Sequence, residues 1–200
     1  MEADWEFELG GEAPVIVASW TGFVDLRRSP ERAWDLPEVR LFPGLAEALI
    51  KLNSADSPVW TSKCDVWPDL GVDEFDPDEL DAQPDCAAHP AGCYIDLLAS
   101  AELWSDPATA TAECKEICGL LRLIPLRCCR ADLVIRRALV AVDVTSDPVG
   151  RLGFTAYLTS CGNSPAAAMQ TLQAALKALA DAIGVRQAPL DVKIGVGTGE

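Results

Sequence analysis

Between residues 130 and 184 the chain reads as strand, tight turn, strand and long helix, and few folds accommodate that succession. Residues 131–144 are dense in Val, Ile and Leu with polar residues at intervals, which suits a strand. Ser146, Asp147, Pro148 and Gly150 then supply turn chemistry: Pro fixes φ, Gly tolerates positive φ, and Asp and Ser bond nearby backbone. Residues 152–161 return as a second strand. There Leu152, Phe154, Ala156 and Leu158 alternate with Gly153, Thr155, Tyr157 and Thr159, and period two puts the sets on opposite faces. Gly162 ends that strand. Asn163 or Ser164 can accept from an orphan backbone N–H, and Pro165 suits a first helical turn. Residues 166–183 favour helix, with Met169, Leu172, Leu176, Leu179 and Ile183 along one face and Gly184 placed as a C-terminal cap. This stripe is expected to pack on a core; pairing with a second copy is the minor alternative.

The rest of the chain supplies partners for that unit. Residues 5–9 alternate aromatic and acidic side chains, as an edge strand kept soluble by its acids does. Further strands are expected over residues 14–20 and 23–26, Val59–Trp67, 93–99 and 190–196. In Val59–Trp67, Trp60, Cys64 and Val66 share one phase and Thr61, Lys63 and Asp65 the other, with Ser62 spoiling the first set. A helix is expected over residues 45–52. Another follows a cap at Ser105 or Asp106, with Pro107 in its first turn and Cys114, Ile117, Cys118 and Leu121 as its apolar stripe. Residues 68–92 carry the turn residues and acids of an irregular loop.

From residue 93 onward the order is strand, helix, strand, strand, helix, strand, which resembles the split βαβ, or ferredoxin-like, order. The expected class is therefore α+β, with an antiparallel sheet in the C-terminal half. That sheet is extended or partnered by a ββαβ N-terminal half. The chain reads as a single α+β domain over residues 1–200. The alternative divides it into a ββαβ unit at 1–67, an acidic linker loop at 68–92 and a ferredoxin-like unit at 93–200. Such an order carries no function with it.

Charge narrows the partners. With 16 Lys plus Arg against 31 Asp plus Glu, the formal net charge is −15, which opposes binding to nucleic acid and to anionic membranes. Residues 65–85 hold nine acids and no Lys or Arg, so this stretch reads as a solvated loop or as a dock for a basic partner. No apolar run approaches the ~20 residues of a membrane span, and the acidic start lacks the features of a secretory signal. A cytoplasmic protein with reduced cysteines is the expectation.

The candidate site is a sheet face. Lys63, Asp65, Asp96, Asp132, Arg136, Thr155 and Tyr157 fall opposite the apolar alternation of their strands, and clustered charges of this kind can bind a polar ligand or serve acid–base chemistry. The bland alternative is a solvated face with cross-strand ion pairs of little energetic weight. Adjacent Arg136 and Arg137 cannot share that face, so one points to the helices or the strand bulges. Cys64, Cys86, His89 and Cys93 are the residues to consider for a metal, but their spacing is not that of a paired knuckle and no metal is expected. Cys128 and Cys129 precede Arg130, which would lower a thiol pKa, although packing is the simpler role. No P-loop, nucleophile elbow or dinucleotide motif occurs, so no cofactor is implied. Two classes of function follow. The favoured one is a binding or protein-interaction domain using the polar sheet face and the acidic loop, with a small polar ligand, a protein partner or a second copy as occupant. The alternative is a small enzyme using the same face.

Overall fold

The structure is a computed structural model, described over residues 1–8, 15–17, 23–71, 75–83, 86–99, 104, 106–141, 147 and 149–184. In chain order its main elements are β1 (Glu2–Phe7), β2 (Val15–Val17), α1 (Pro37–Leu41), α2 (Gly44–Leu52), β3 (Val59–Trp67), β4 (His89–Ala99), α3 (Pro107–Arg122), β5 (Cys129–Ala141), β6 (Val149–Gly162) and α4 (Pro165–Gly184). The strand expected over residues 190–196 lies outside the described residues.

β5 and β6 form the expected antiparallel hairpin, in continuous register from Cys129 opposite Ser160 to Val140 opposite Val149. β4 pairs antiparallel with the other side of β6, and β3 pairs antiparallel outside β4. With α3 connecting them, β4 and β5 run parallel and β6 lies between them. β1 and β2 lie along the outer side of β5, both parallel to it, giving the order β1-β5-β6-β4-β3. The sheet is therefore mixed, not antiparallel as expected. Alternation tells which face a strand residue takes but not which way an edge strand pairs; that depends on the path of the connecting chain. The N-terminal strands extend the sheet, and they do so at opposite edges.

α2, α4 and α3 cover one face. α4 packs on β6 and β4, α2 and α3 flank it, and α3 also covers β1. The core fills the space between: Ile95, Leu97, Leu133, Ile135 and Leu158 from the sheet meet Leu49, Ile117, Leu121 and Leu172 from the helices, all at most 1% exposed. Burying each such side chain contributes about 1.5–3 kcal/mol. The helix starts follow the capping chemistry of the sequence. Asp106 accepts from the N–H groups of Ala108 and Thr109, and Ser164 accepts from Ala167 N–H. Among the described residues no helix is long and apolar enough to cross a membrane.

Residues 23–26, expected as a strand, form none, and two further local expectations change. First, the β3–β4 register shifts between Thr61 and Lys63, so Ser62 is an extra residue in β3. A bulge reverses the phase of the strand. Thr61 consequently faces the helices, where the buried Asn53 accepts from its N–H and donates to its hydroxyl, while Trp60 joins the opposite face. Second, β4 starts at His89 rather than at residue 93. Pro90 fits there because its carbonyl accepts from Leu70 N–H on the side that β3 has already left, so the missing Pro N–H deprives no ladder partner. The strand at Arg136 and Arg137 does not bulge. Arg137 takes the helix-side phase and remains exposed near the strand end.

Candidate functional site

The sheet face opposite the helices is built from side chains that line up across the strands. One row runs Lys63, Asp96, Thr155, Val134 and Glu6. The next runs Asp65, Tyr94, Tyr157, Asp132 and Asp4, and beyond it come Trp67, Gly92, Thr159, Arg130 and Glu2. On the other side, Trp60, Leu98, Gly153 and Arg136 form a fourth row. All seven candidate residues thus stand on one face, within three adjacent rows.

They are not all in contact. Thr155, only 2% exposed, donates to Asp96 Oδ1 at 2.6 Å and accepts from Arg136 Nη1 at 3.3 Å. Arg136 also stands 5.7 Å from the Tyr157 ring centre. Glu8 Oε2 lies 2.5 Å from Arg136 Nε but off the N–H direction, so that buried nitrogen lacks a hydrogen-bond partner among the described residues. Burial opposes the Arg136 charge, yet Tyr157 and Glu8 outweigh it and its pKa is raised. Lys63 is exposed and forms no ion pair among the described residues, although Asp96 stands opposite it. Asp65 accepts from the neighbouring Val66 N–H. Asp132 is held by Arg130, whose Nε lies 2.8 and 2.9 Å from its two oxygens, and Glu79 of the acidic loop approaches Arg130 at 3.8 Å. Burial raises the Asp132 pKa against the pull of Arg130.

The structure adds residues that the sequence reading passed over. Trp67, Tyr94 and Tyr157 form an aromatic series, with ring centres 5.6 and 6.1 Å apart. Burial and the Asp96 and Asp65 carboxylates raise the Tyr94 pKa. Tyr94 shares the phase of Asp96 and was legible by that signal; Glu8 was not, because nothing local reveals that β1 pairs with β5. Gly153 matters through its missing side chain: a Cβ there would lie 2.4 Å from the Leu97 carbonyl oxygen. Over it opens a hollow of about 40 Å³ lined by Ser62, Asp96, Leu98, Arg136, Ala138 and Thr155. A few waters fill such a space, whereas small-molecule sites run to about 300–1,000 Å³. A larger hollow of about 280 Å³ lies by Met1, Leu80, Ile124 and Leu126, but its charged side chains, Glu2, Asp81 and Arg127, are exposed and none of the seven candidates lines it.

The four residues considered for a metal are not gathered. Cys64 and Cys93 lie on the helix side of the sheet, whereas Cys86 stands by Cys161 on the other. Burial pushes the Cys64 thiol up to about 12, so it resists becoming the thiolate a metal needs. Among the described residues no group of three or more His, Cys, Asp or Glu is placed to hold a metal ion. Beside Arg130, packing also prevails: Cys129 is fully buried and its thiol is pushed up to about 12 by desolvation.

No protein-family model, curated protein or solved structure matches the chain.

Proposed function

We propose that the chain is a protein-interaction domain that receives a basic, Lys- or Arg-rich segment of a partner on the helix-free face of its sheet. The observation that supports this is the aromatic series Trp67, Tyr94 and Tyr157 lying among the carboxylates of Asp65, Asp96 and Asp132 on one sheet face. Aromatic faces attract cations by about 0.5–2 kcal/mol each, and carboxylates beside them add charge and hydrogen bonds. The long-range field of a chain of charge −15 steers the same partner. Arg136 beside Tyr157 and Lys115, 5.1 Å from the Trp5 ring, show this chemistry within the chain itself. The hollow over those residues, about 40 Å³, is smaller than a small-molecule site, which favours a polypeptide over a small substrate.

The ferredoxin-like order of the C-terminal half belongs to the same proposal. Its support is the parallel pair β4 and β5 with β6 between them, connected through α3 and followed by α4.

The test is titration of the labelled protein with a fluorescent oligo-arginine peptide, with an acidic peptide of equal length as control. Expected is saturable binding that weakens with salt and falls at least tenfold in a Tyr94→Ala, Asp65→Asn double variant. Equal binding of both peptides, or unchanged affinity in that variant, defeats the reading.

A further inference from the structure

A group of thiols at the foot of the β5–β6 hairpin is unlike the other cysteines. One step beyond the pair Cys129–Ser160, the hairpin register sets Cys128 opposite Cys161, and Cys161 N–H donates to Cys128 O at 2.9 Å. Residues hydrogen-bonded across antiparallel strands have Cα atoms about 5.5 Å apart, where disulfides are most frequent. In a regular strand the two Cβ atoms of such a pair stand too far apart. Here Cys128 is left-handed, with φ 57°, and so departs from regular strand geometry, and its thiol is near enough to Cys161 to raise the pKa of that thiol. Cys161 is fully buried, Cys128 is half-buried, and Cys86 of the acidic loop stands close enough to Cys161 to influence its charge.

Two other pairs lack spacing or access. Cys64 and Cys93 are offset by two residues across β3 and β4. Such diagonal neighbours lie about 7–8 Å apart, beyond the reach of a disulfide without backbone movement. Cys114 and Cys118 are one turn apart on α3, but both are completely buried, leaving no thiol to begin an exchange.

We propose that Cys128 and Cys161 are an oxidation site that closes to a disulfide by exchange with a small-molecule disulfide of the glutathione class. The more exposed Cys128 loses its proton to solvent. Its thiolate attacks one sulfur of the small disulfide, forming a mixed disulfide and releasing one small thiolate. Cys161 then yields its proton to solvent, attacks the Cys128 sulfur and expels the second small thiolate. The protein loses two protons and two electrons, and the small disulfide, reduced by those electrons, becomes two thiols. The new bond clamps the last pair of the hairpin beside the segment that carries Glu79 and Leu80 over the sheet.

The test treats the full chain with oxidised glutathione, quenches it with acid, alkylates the remaining thiols and maps the unreduced peptides by mass spectrometry. Expected are the loss of two alkylation sites and a cross-linked peptide joining Cys128 to Cys161. In Cys161→Ser, a glutathione adduct should persist on Cys128. The proposal is overturned by complete alkylation, by a wild-type adduct that never closes, or by a cross-link through Cys86. The wild-type map decides the matter even if a variant fails to fold.

Discussion

The two faces of the sheet use the same strands in opposite ways. On the helix side, Leu133, Ile135, Phe154, Ala156 and Leu158 are excluded from water by α3 and α4, and their identity is dictated by volume. On the other side, Arg130, Asp132, Arg136, Thr155 and Tyr157 alternate with them and satisfy one another by hydrogen bonds and charge, without a helix above. The difference teaches that the first face owes its composition to packing volume, while the second is held by hydrogen bonds and charge between its own side chains.

Neighbouring residues of β6 test this contrast most severely. Leu158→Ala should lower unfolding free energy by about 2–5 kcal/mol, through lost transfer energy and the cavity left behind. Tyr157→Ala, one residue away, should lower it by about 1 kcal/mol. Urea denaturation of both variants measures the gap, and equal losses would mean that the second face is as tightly packed as the first. Gly153→Ala comes next, at about 1–3 kcal/mol, because the rigid Leu97 carbonyl cannot yield to the added carbon. Thr155→Val keeps the shape but removes both hydrogen bonds that join Asp96 to Arg136, with an expected loss of about 1–2 kcal/mol in the same assay.

The smallest effects concern pH, where the two faces should differ in sign. Asp132 has its folded pKa raised by burial, so its ionisation opposes folding above that pKa, and the opposition is relieved as pH falls through it. Asp132→Asn should therefore match or slightly exceed wild-type stability at neutral pH, within about 1 kcal/mol, and this advantage should vanish in acid. On the helix layer, burial of Asp181 is outweighed by Lys177 and Lys51, and its pKa is lowered. Its contribution is full above the unfolded pKa and is lost as pH falls through the folded one. Asp181→Asn should cost less than about 1 kcal/mol near neutrality and nothing at low pH, since these side chains are largely exposed. Chemical denaturation at a series of pH values compares the two variants; a shared sign would remove the electrostatic distinction between the faces.

Much of this was legible in local pattern. Period-two alternation in residues 152–161 assigned Thr155 and Tyr157 to one face and Phe154 and Leu158 to the other, as the structure has them. Capping chemistry located the starts of α3 and α4. The failures share a cause: each required knowledge of a distant partner. The extra residue at Ser62 reversed Trp60 and Thr61; Ser62 breaks the apolar phase of the sequence, but that it is a bulge emerges only when Leu97 and Asp96 stand opposite β3. The parallel direction of β1 depends on where the intervening chain travels. The acidic stretch looked unanchored because its attachments, Leu80 buried and Leu70 bonded to Pro90, are single residues among many acids. For the site, the seven polar residues were assigned to one face, yet their linkage through Thr155 and the company of Tyr94 and Trp67 emerged only from the cross-strand register.

The parallel edge formed by β1 has a consequence for how the chain reaches its native state. Glu2 finds its place opposite Arg130, 128 positions later, so β1 is made long before the strand that seats it. At about 5–20 residues per second that wait is roughly 6–25 s. Throughout it, Trp5 and Phe7 remain without the strand that shelters them. The acids between and beside them, Asp4, Glu6 and Glu8, keep this waiting segment repelled from its copies on neighbouring nascent chains, a kinetic safeguard that the finished sheet no longer displays.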